Sequence, residues 1–346
     1  MARGVDAAEA GVLPDLVLRA AIRRLCRTRL ESERDLGRTA ASFAERMSTA
    51  AVATHTDVAN EQHYEVPTEF FLTVLGPALK YSACEYPDER ASLEEAERHT
   101  LALVCERAGI EDGMDVLDLG CGWGSFTTWV AEHYPNCRVT AVSNSNTQRE
   151  FIEARCDRPG WAPVEVITAD AATLDLGRDR FDRVVSVEMF EHMRNWGALF
   201  DRIAAALRPE GAFFQHVFCH RDHPYFFEDD GEGDWMARNF FSGGIMPSYD
   251  LPRHVKSALR VDEQWRLEGR DYARTLRAWL DRLDARRAEV DRIFEKDLPP
   301  AEAKRAVQRW RMFFMACEEL FAFDEGREWF VVHSLLRPSG EAGSGA

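Results

Sequence analysis

The run Val116-Leu117-Asp118-Leu119-Gly120-Cys121-Gly122-Trp123-Gly124-Ser125 constrains this chain more than any other stretch. An apolar segment ends in an acid, three glycines follow at alternate positions, and a helix-like segment begins. A strand that rises into a tight glycine turn brings backbone amides close to a ligand, and the carboxyl edge of a parallel α/β sheet is where such ligands sit. The spacing is Gly-x-Gly-x-Gly, not the Gly-x-Gly-x-x-Gly of dinucleotide sites. It suits a compact nucleoside carrying an amino acid better than a pyrophosphate. A strand–helix turn that binds nothing is the plainer alternative.

The surrounding pattern supports a sheet. Ser92 to Ala108 reads as a helix, opened by a Ser92/Glu95 capping box and closed by Gly109. Strand-like segments 115–119, 138–143, 164–168, 181–187 and 212–218 then alternate with helix-like segments 125–133, 147–155 and 196–207. Such alternation predicts an α/β fold with a doubly wound parallel sheet. After Phe218 the rhythm breaks. A strand-like 260–267, helices over 272–294 and 301–321, and a last strand over 329–336 follow. The chain thus divides into an N-terminal helical arm and cofactor cover (1–90), a nucleoside-binding core (91–218) and an aromatic, helical lid with the final strands (219–346). Residues 13–53 carry an apolar stripe and predict a scaffold or dimer-forming arm, so a homodimer is expected. The aromatic segments 61–71 and 79–87, which include Glu85, suit a cover folded over a ligand.

Composition removes several function classes. The net charge of −16 argues against nucleic acid and against charge-driven binding to anionic lipid. No apolar run is long enough to span a membrane, so no stable membrane association is expected. Eight scattered cysteines, with no Cys-x-x-Cys pair and no secretory leader, predict reduced thiols and a cytoplasmic location. The tail from Ser339 reads as loose.

Further signals sit at the ends of the predicted strands. Ser143, Asn144 and Gln148 stand where a nucleotide site usually carries a carboxylate, which disfavours NAD but still allows hydrogen bonds to a ribose. Asp170, followed by Ala171, is placed to accept from an adenine amino group or to cap a helix. The sharpest signal is Glu188-Met189-Phe190-Glu191-His192-Met193. Glu188, Glu191 and His192 lie at i, i+3 and i+4, so a helical turn would put them on one face. Two carboxylates beside an imidazole can take a proton from an ammonium group or orient a free amine. A solvated helix start is the alternative. His216, His220 and His223 are not spaced for one face, and no metal is expected; His216 is read as lining the pocket. Trp235, Phe240, Phe241, Tyr249, Phe321, Phe323 and Trp329 can build an aromatic wall for a cationic amine, or simply pack in the core.

These residues resemble the S-adenosylmethionine-dependent methyltransferases of the cyclopropane-fatty-acid-synthase superfamily. Asp118 to Gly124, Lys80-Tyr81-Ser82, Ser143-Asn144 with Gln148, and Phe190 to Met193 carry the likeness. The Glu188–Met193 run, Phe240 to Pro247 and Glu328 to His333 resemble its coclaurine N-methyltransferase-like branch, and the similarity spans residues 61 to 337. It implies a class I, Rossmann-like sheet with a helical lid inserted late in it. It implies S-adenosylmethionine held by Tyr81, Ser82, Gly120, Gly122, Asn144, Gln148 and Asp170. It implies a Glu191–His192 pair at the methyl-transfer centre, with Glu188 near the cofactor or the amine. The expected substrate is a small aromatic amine. Two rivals remain open at this point. One is lipid cyclopropanation, with Cys84, Glu191 and His216 as a bicarbonate site. The other is a cofactor-binding protein without activity.

Overall fold

A computed structural model describes residues 2–52, 66–227 and 235–339. Three helices open the chain: α1 (Ala2–Glu9), α2 (Asp15–Leu36) and α3 (Ala40–Ser48). Within the helical arm expected over 13–53, Gly37, with φ 57°, ends α2, and Thr39 caps α3 by accepting from the Ser42 amide. Next come α4 (Thr68–Val74) and α5 (Leu93–Ala108). The capping box of α5 forms as expected, with Ser92 accepting from the Glu95 amide and Glu95 accepting from the Ser92 amide.

The alternating core then runs β1 (Asp115–Leu119), α6 (Ser125–His133), β2 (Arg138–Ser143), α7 (Asn146–Cys156), β3 (Val164–Thr168), β4 (Phe181–Val187), α8 (Trp196–Ala206) and β5 (Leu207–His220). Short elements follow: β6 (Tyr225–Phe226), α9 (Trp235–Asn239), β7 (Ile245–Met246) and α10 (Leu251–His254). The chain closes with β8 (Leu259–Leu267), α11 (Gly269–Ala285), α12 (Arg287–Phe294), α13 (Pro300–Phe321) and β9 (Trp329–Pro338). The single helix expected over 272–294 is two, because Arg286 leaves the helical region at φ −113°. The Glu61–Glu65 part of the expected cover, and the tail beyond Ser339, lie outside the described residues.

Seven strands form one sheet in the order β3-β2-β1-β4-β5-β9-β8. The first five are parallel, β9 pairs antiparallel with β5, and β8 pairs antiparallel with β9. Adjacent residues face opposite sides. Leu117, Val184 and Phe213 meet Trp196, Phe200 and Ile203 of α8, while Val116, Val185 and Phe214 meet Leu101 of α5 and Phe126 of α6. Burial on both faces is why these strands read as unbroken apolar runs. α11, α12 and α13 lie between β8 and β9 in sequence and form the lid. Its core joins Trp279, Trp310 and Phe314 to Phe70 and Phe71 of α4 and to Leu18 and Leu30 of α2. Ion pairs tie the arm to α13, Arg19 to both Glu318 and Glu319 and Arg309 to Glu9. The sheet order reverses between β1 and β4, which opens a crevice at their carboxyl ends.

Candidate active site

Gly120 begins the turn after β1, with φ 86°, and packs directly on the second motif. A Cβ there would lie 2.6 Å from Met189 Cγ. Gly122 has φ 53°, yet a Cβ there would meet nothing within 4 Å. The turn is therefore closed on one side and open on the other, into the crevice, and Gly124 (φ 75°) carries it into α6. Asp118 lies beneath the turn, not in the open space. It is buried, accepts from the Thr127 hydroxyl at 2.6 Å, and burial pushes its carboxyl up to about 7.

At the end of β2, the Ser143 hydroxyl donates to Gln148 Oε1 at 2.7 Å and accepts from the Ser145 amide. These two buried side chains shape the loop, while Asn144 between them is exposed at the sheet edge. At the end of β3, Asp170 accepts from the Ala172 amide at 2.8 Å. The residues after it form a turn, so the helix-cap alternative does not apply, and Ala171 is buried under that turn. Across the crevice, Tyr81 packs edge-on against Phe71, and Ser82 accepts from the buried Lys80 ammonium at 2.6 Å. Lys80 also donates to the Ala83 carbonyl. Its stem and head are sealed from solvent, so it clamps this segment over the sheet.

Glu188 is the centre of the arrangement. The helical turn expected to carry it starts only at Phe190, as a three-residue 3-10 turn, so Glu188 and His192 do not share a helical face. Glu188 instead sits at φ 47°, a strained position for a residue with a side chain. Its Oε1 accepts from the Ala83 amide at 2.8 Å and lies 3.1 Å from His216 Nε2. Its Oε2 accepts from the Tyr272 hydroxyl at 2.6 Å. Burial raises its pKa, and Lys80 and these donors oppose that.

Glu191 is fully buried and accepts from the Phe218 amide of β5 at 2.8 Å. Burial first, and Glu188 second, drive its pKa well above the usual carboxylate range. Two neighbouring carboxyls of this kind titrate as a unit, with one of them neutral. Glu191 Oε2 is buried and has no hydrogen-bond partner among the described residues, a state that a bound donor group or water relieves.

An aromatic arc joins the two ends of the motif. Tyr272 stacks on Phe321 at 4.2 Å, Phe321 meets Phe218 at 6.2 Å, Phe218 meets Phe241 at 5.7 Å, and Phe241 lies parallel to His192 at 5.7 Å. Of the expected wall, Phe241 and Phe321 belong to this arc. Trp329 is fully buried and donates to the Tyr225 hydroxyl, with Phe323 edge-on to it, so both pack behind the arc. Trp235 bonds Glu9, Phe240 stacks on Phe313, and Tyr249 packs on Phe330. Glu85 lies outside the arc, within 3.7 Å of Arg107. Sequence reasoning missed Tyr272, Phe218 and the Ala83 amide. His333, which reaches His216, lay unused inside a stretch singled out for resemblance.

The residues named for the rival bicarbonate site each have a partner in the protein. His216 Nε2 lies against Glu188, Glu191 accepts from the Phe218 amide, and the Cys84 thiol is buried, pushed up to about 12 and 3.9 Å from the Ser82 carbonyl. His220 accepts from the Asp222 and His223 amides and neighbours Glu328, away from His216.

The family described as mycolic acid cyclopropane synthetase matches residues 52–327. (S)-Coclaurine N-methyltransferase of Thalictrum flavum subsp. glaucum is 37% identical over 83% of this chain and 80% of its own. The crystal structure of coclaurine N-methyltransferase bound to N-methylheliamine and SAH superposes with a TM-score of 0.92 at 34% identity, covering 97% of this chain and 99% of that one. This chain belongs to that family. It is an S-adenosylmethionine-dependent N-methyltransferase of the coclaurine N-methyltransferase-like branch. The cyclopropane-fatty-acyl-phospholipid synthase of Escherichia coli (strain K12) is more distant, at 29% identity over 80% of this chain and 68% of its own. The cofactor is S-adenosylmethionine, and the open side of the Gly122 turn, where an added Cβ meets no atom of the described residues within 4 Å, leaves room for it. Among the described residues no helix is long and apolar enough to cross a membrane.

Proposed function

We propose that this methyltransferase acts on the nitrogen of a small aromatic amine of the tetrahydroisoquinoline or arylethylamine kind, with Glu188, Glu191 and His192 around the nitrogen. The observation that carries the reading is the fixed Glu188 carboxylate at one end of an aromatic arc that ends on His192. An amine arrives mostly as its ammonium, and an aromatic wall attracts that cation. Glu188, held by donors from three elements, takes the proton and leaves the lone pair free. The neutral Glu191 beside it lets the pair carry one charge, not two, and His192 orients the nitrogen from the far end of the arc. Bound S-adenosylmethionine supplies the electrophilic sulfonium methyl. Tyr81, Ser82, the Gly120–Gly124 turn, Asn144 and Asp170 hold it, while Asp118, Ser143, Gln148 and Ala171 brace the loops that do so. Most of the acceleration then comes from orientation.

Buried free thiols at all eight cysteines support a reducing, cytoplasmic setting. The exposed Leu16, Leu25 and Leu36 of α2 support pairing of two chains, which light scattering after gel filtration tests.

The test is a methyl-transfer screen with labelled S-adenosylmethionine, a panel of primary and secondary arylethyl amines, and unsaturated phospholipid vesicles. Label in an amine supports the reading, and label in lipid alone overturns it. Glu188→Gln is expected to lower kcat at least about a hundredfold while leaving cofactor affinity within about threefold.

A further inference from the structure

Behind Glu188 runs a buried chain that the reaction itself does not call for. Arg107 Nη1 lies 2.8 Å from His333 Nδ1, His333 Nε2 lies 2.8 Å from His216 Nδ1, and His216 Nε2 lies 3.1 Å from Glu188 Oε1. Arg107 comes from α5, His333 from β9 and His216 from β5. The two histidines are cross-strand partners in the sheet, with both rings fully buried.

A guanidinium has donors and no acceptor, so its partner nitrogen on His333 must accept. That leaves the His333 proton on Nε2, where it points at His216 Nδ1. His216 Nδ1 then accepts, and its own proton sits on Nε2, facing Glu188. Each tautomer is thus set by the previous partner, starting from a residue that does not lose its proton. We propose that Arg107 and His333 are positioning residues for the methyl transfer. They lock His216 as a donor to Glu188, and so hold that carboxylate charged and aimed at the amine. The inference rests on the reading that Glu188 faces the amine.

Burial agrees with the assignment. It pushes both imidazoles well below their usual pKa, so both are neutral and each has a single proton to place. A neutral pair without a fixed donor at one end has two directions of equal standing. In the reversed direction a His216 lone pair would face Glu188, and the carboxylate would answer by taking a proton. Arg107 removes that choice from 15% exposure at the edge of the fold. Glu85 Oε2 stands 3.7 Å from the same Nη1 and the Trp265 ring centroid lies 5.3 Å from the guanidinium carbon, so the carboxylate and the ring hold the fork in place. The other charged or titratable groups facing Glu188 are Lys80, Cys84, Glu191, His192, Tyr272 and Cys317, and Lys80 also faces both histidines. None of these is changed when Arg107 or His333 is replaced.

The experiment compares the pH dependence of kcat, with one amine, for wild type, Arg107→Leu, His333→Leu, His333→Gln and Glu188→Gln. The amine's own titration is common to all five. Arg107→Leu and His333→Leu are expected to move the acid limb to higher pH by about one unit, so kcat on that limb falls about tenfold, while kcat at the alkaline plateau stays within about threefold. His333→Gln keeps the chain, because its amide oxygen accepts from Arg107 and its NH2 donates to His216, and it is expected to retain the wild-type limb. A histidine with a merely packing role predicts no such difference between Gln and Leu. Nitrogen-15 spectra of labelled histidine should show Nε2-protonated rings in wild type and a changed tautomer in folded Arg107→Leu. If Arg107→Leu folds and binds S-adenosylmethionine but keeps the wild-type limb and tautomers, the inference fails while the site reading stands. If Glu188→Gln keeps wild-type activity and profile, both fail together.

Discussion

Replacing Gly122 with alanine separates ligand space from protein space. At φ 53° the new residue is left-handed, which costs an L-residue about 1–2 kcal/mol. No protein atom lies within 4 Å of the added Cβ, so no clash adds to that cost. For a chain of this length the melting temperature should fall by only about 1–3 °C. The methyl group occupies the side of the turn that faces the crevice. Crowding a well-fitted ligand by one methyl costs about 1–3 kcal/mol, which is about five- to 150-fold in Kd. Gly122→Val should be worse, since a branched side chain tolerates this backbone poorly. Gly120→Ala is the control. Its Cβ meets Met189 Cγ at 2.6 Å, so it should lose stability through protein packing. The assay is calorimetric titration with S-adenosylhomocysteine beside thermal melts. A Gly122→Ala protein that melts near wild type and binds with unchanged Kd refutes the assignment of the open side to the cofactor.

His192→Ala should lower kcat at least about a hundredfold and leave cofactor Kd within about threefold, checked by steady-state kinetics and titration; equal turnover removes His192 from the reaction. Asp118→Asn should stabilise the protein, and increasingly so with pH. The folded carboxyl is raised to about 7 while the unfolded one ionises near 4, so the unfolded state binds fewer protons between those values. Wild-type stability is therefore lost as pH rises through that window. Asn escapes this and can still accept from Thr127. The advantage, measured by urea unfolding, should grow from near zero at pH 4 to roughly 2–4 kcal/mol above pH 7; a flat difference contradicts it. Added bicarbonate should leave turnover unchanged, because Glu188 already uses the His216 donor; stimulation in bicarbonate-free buffer would point to a separate anion site.

The sheet was legible because burial on both faces writes itself as local apolar runs, punctuated by glycine and capping residues. β1, β2, β3 and β4 begin and end where their sequences do. The arm reads as helices without a marked boundary between them; the left-handed backbone at Gly37 sets it. The site was half legible. An acidic residue following β4 announces itself, but its partners do not. The amide that Glu188 accepts from is 105 residues away, the hydroxyl 84 and the imidazole 28. No local pattern encodes such pairings. The i, i+3, i+4 spacing misled for a related reason: it assumes a helix, and three donors hold Glu188 just outside one.

Those donors also explain how Glu188 stays at φ 47°. A residue in that region costs on the order of 1–3 kcal/mol and persists only where its surroundings over-determine it. The Glu188 amide donates to the His216 carbonyl at 2.8 Å while the His216 ring holds the carboxylate, so β5 fixes both ends of the residue. Tyr272 brings the lid to it, and the Ala83 amide brings the segment clamped by Lys80. One side chain thus pins sheet, lid and cover together. Any motion that moves α11 away from the sheet must break the Tyr272 bond and, on the role proposed for Glu188, would loosen the group that takes the proton. On that proposed role, closure over the amine and readiness of the base would be one event, and a substrate too large to let Tyr272 reach Glu188 is expected to bind without being methylated, which binding titration beside turnover checks.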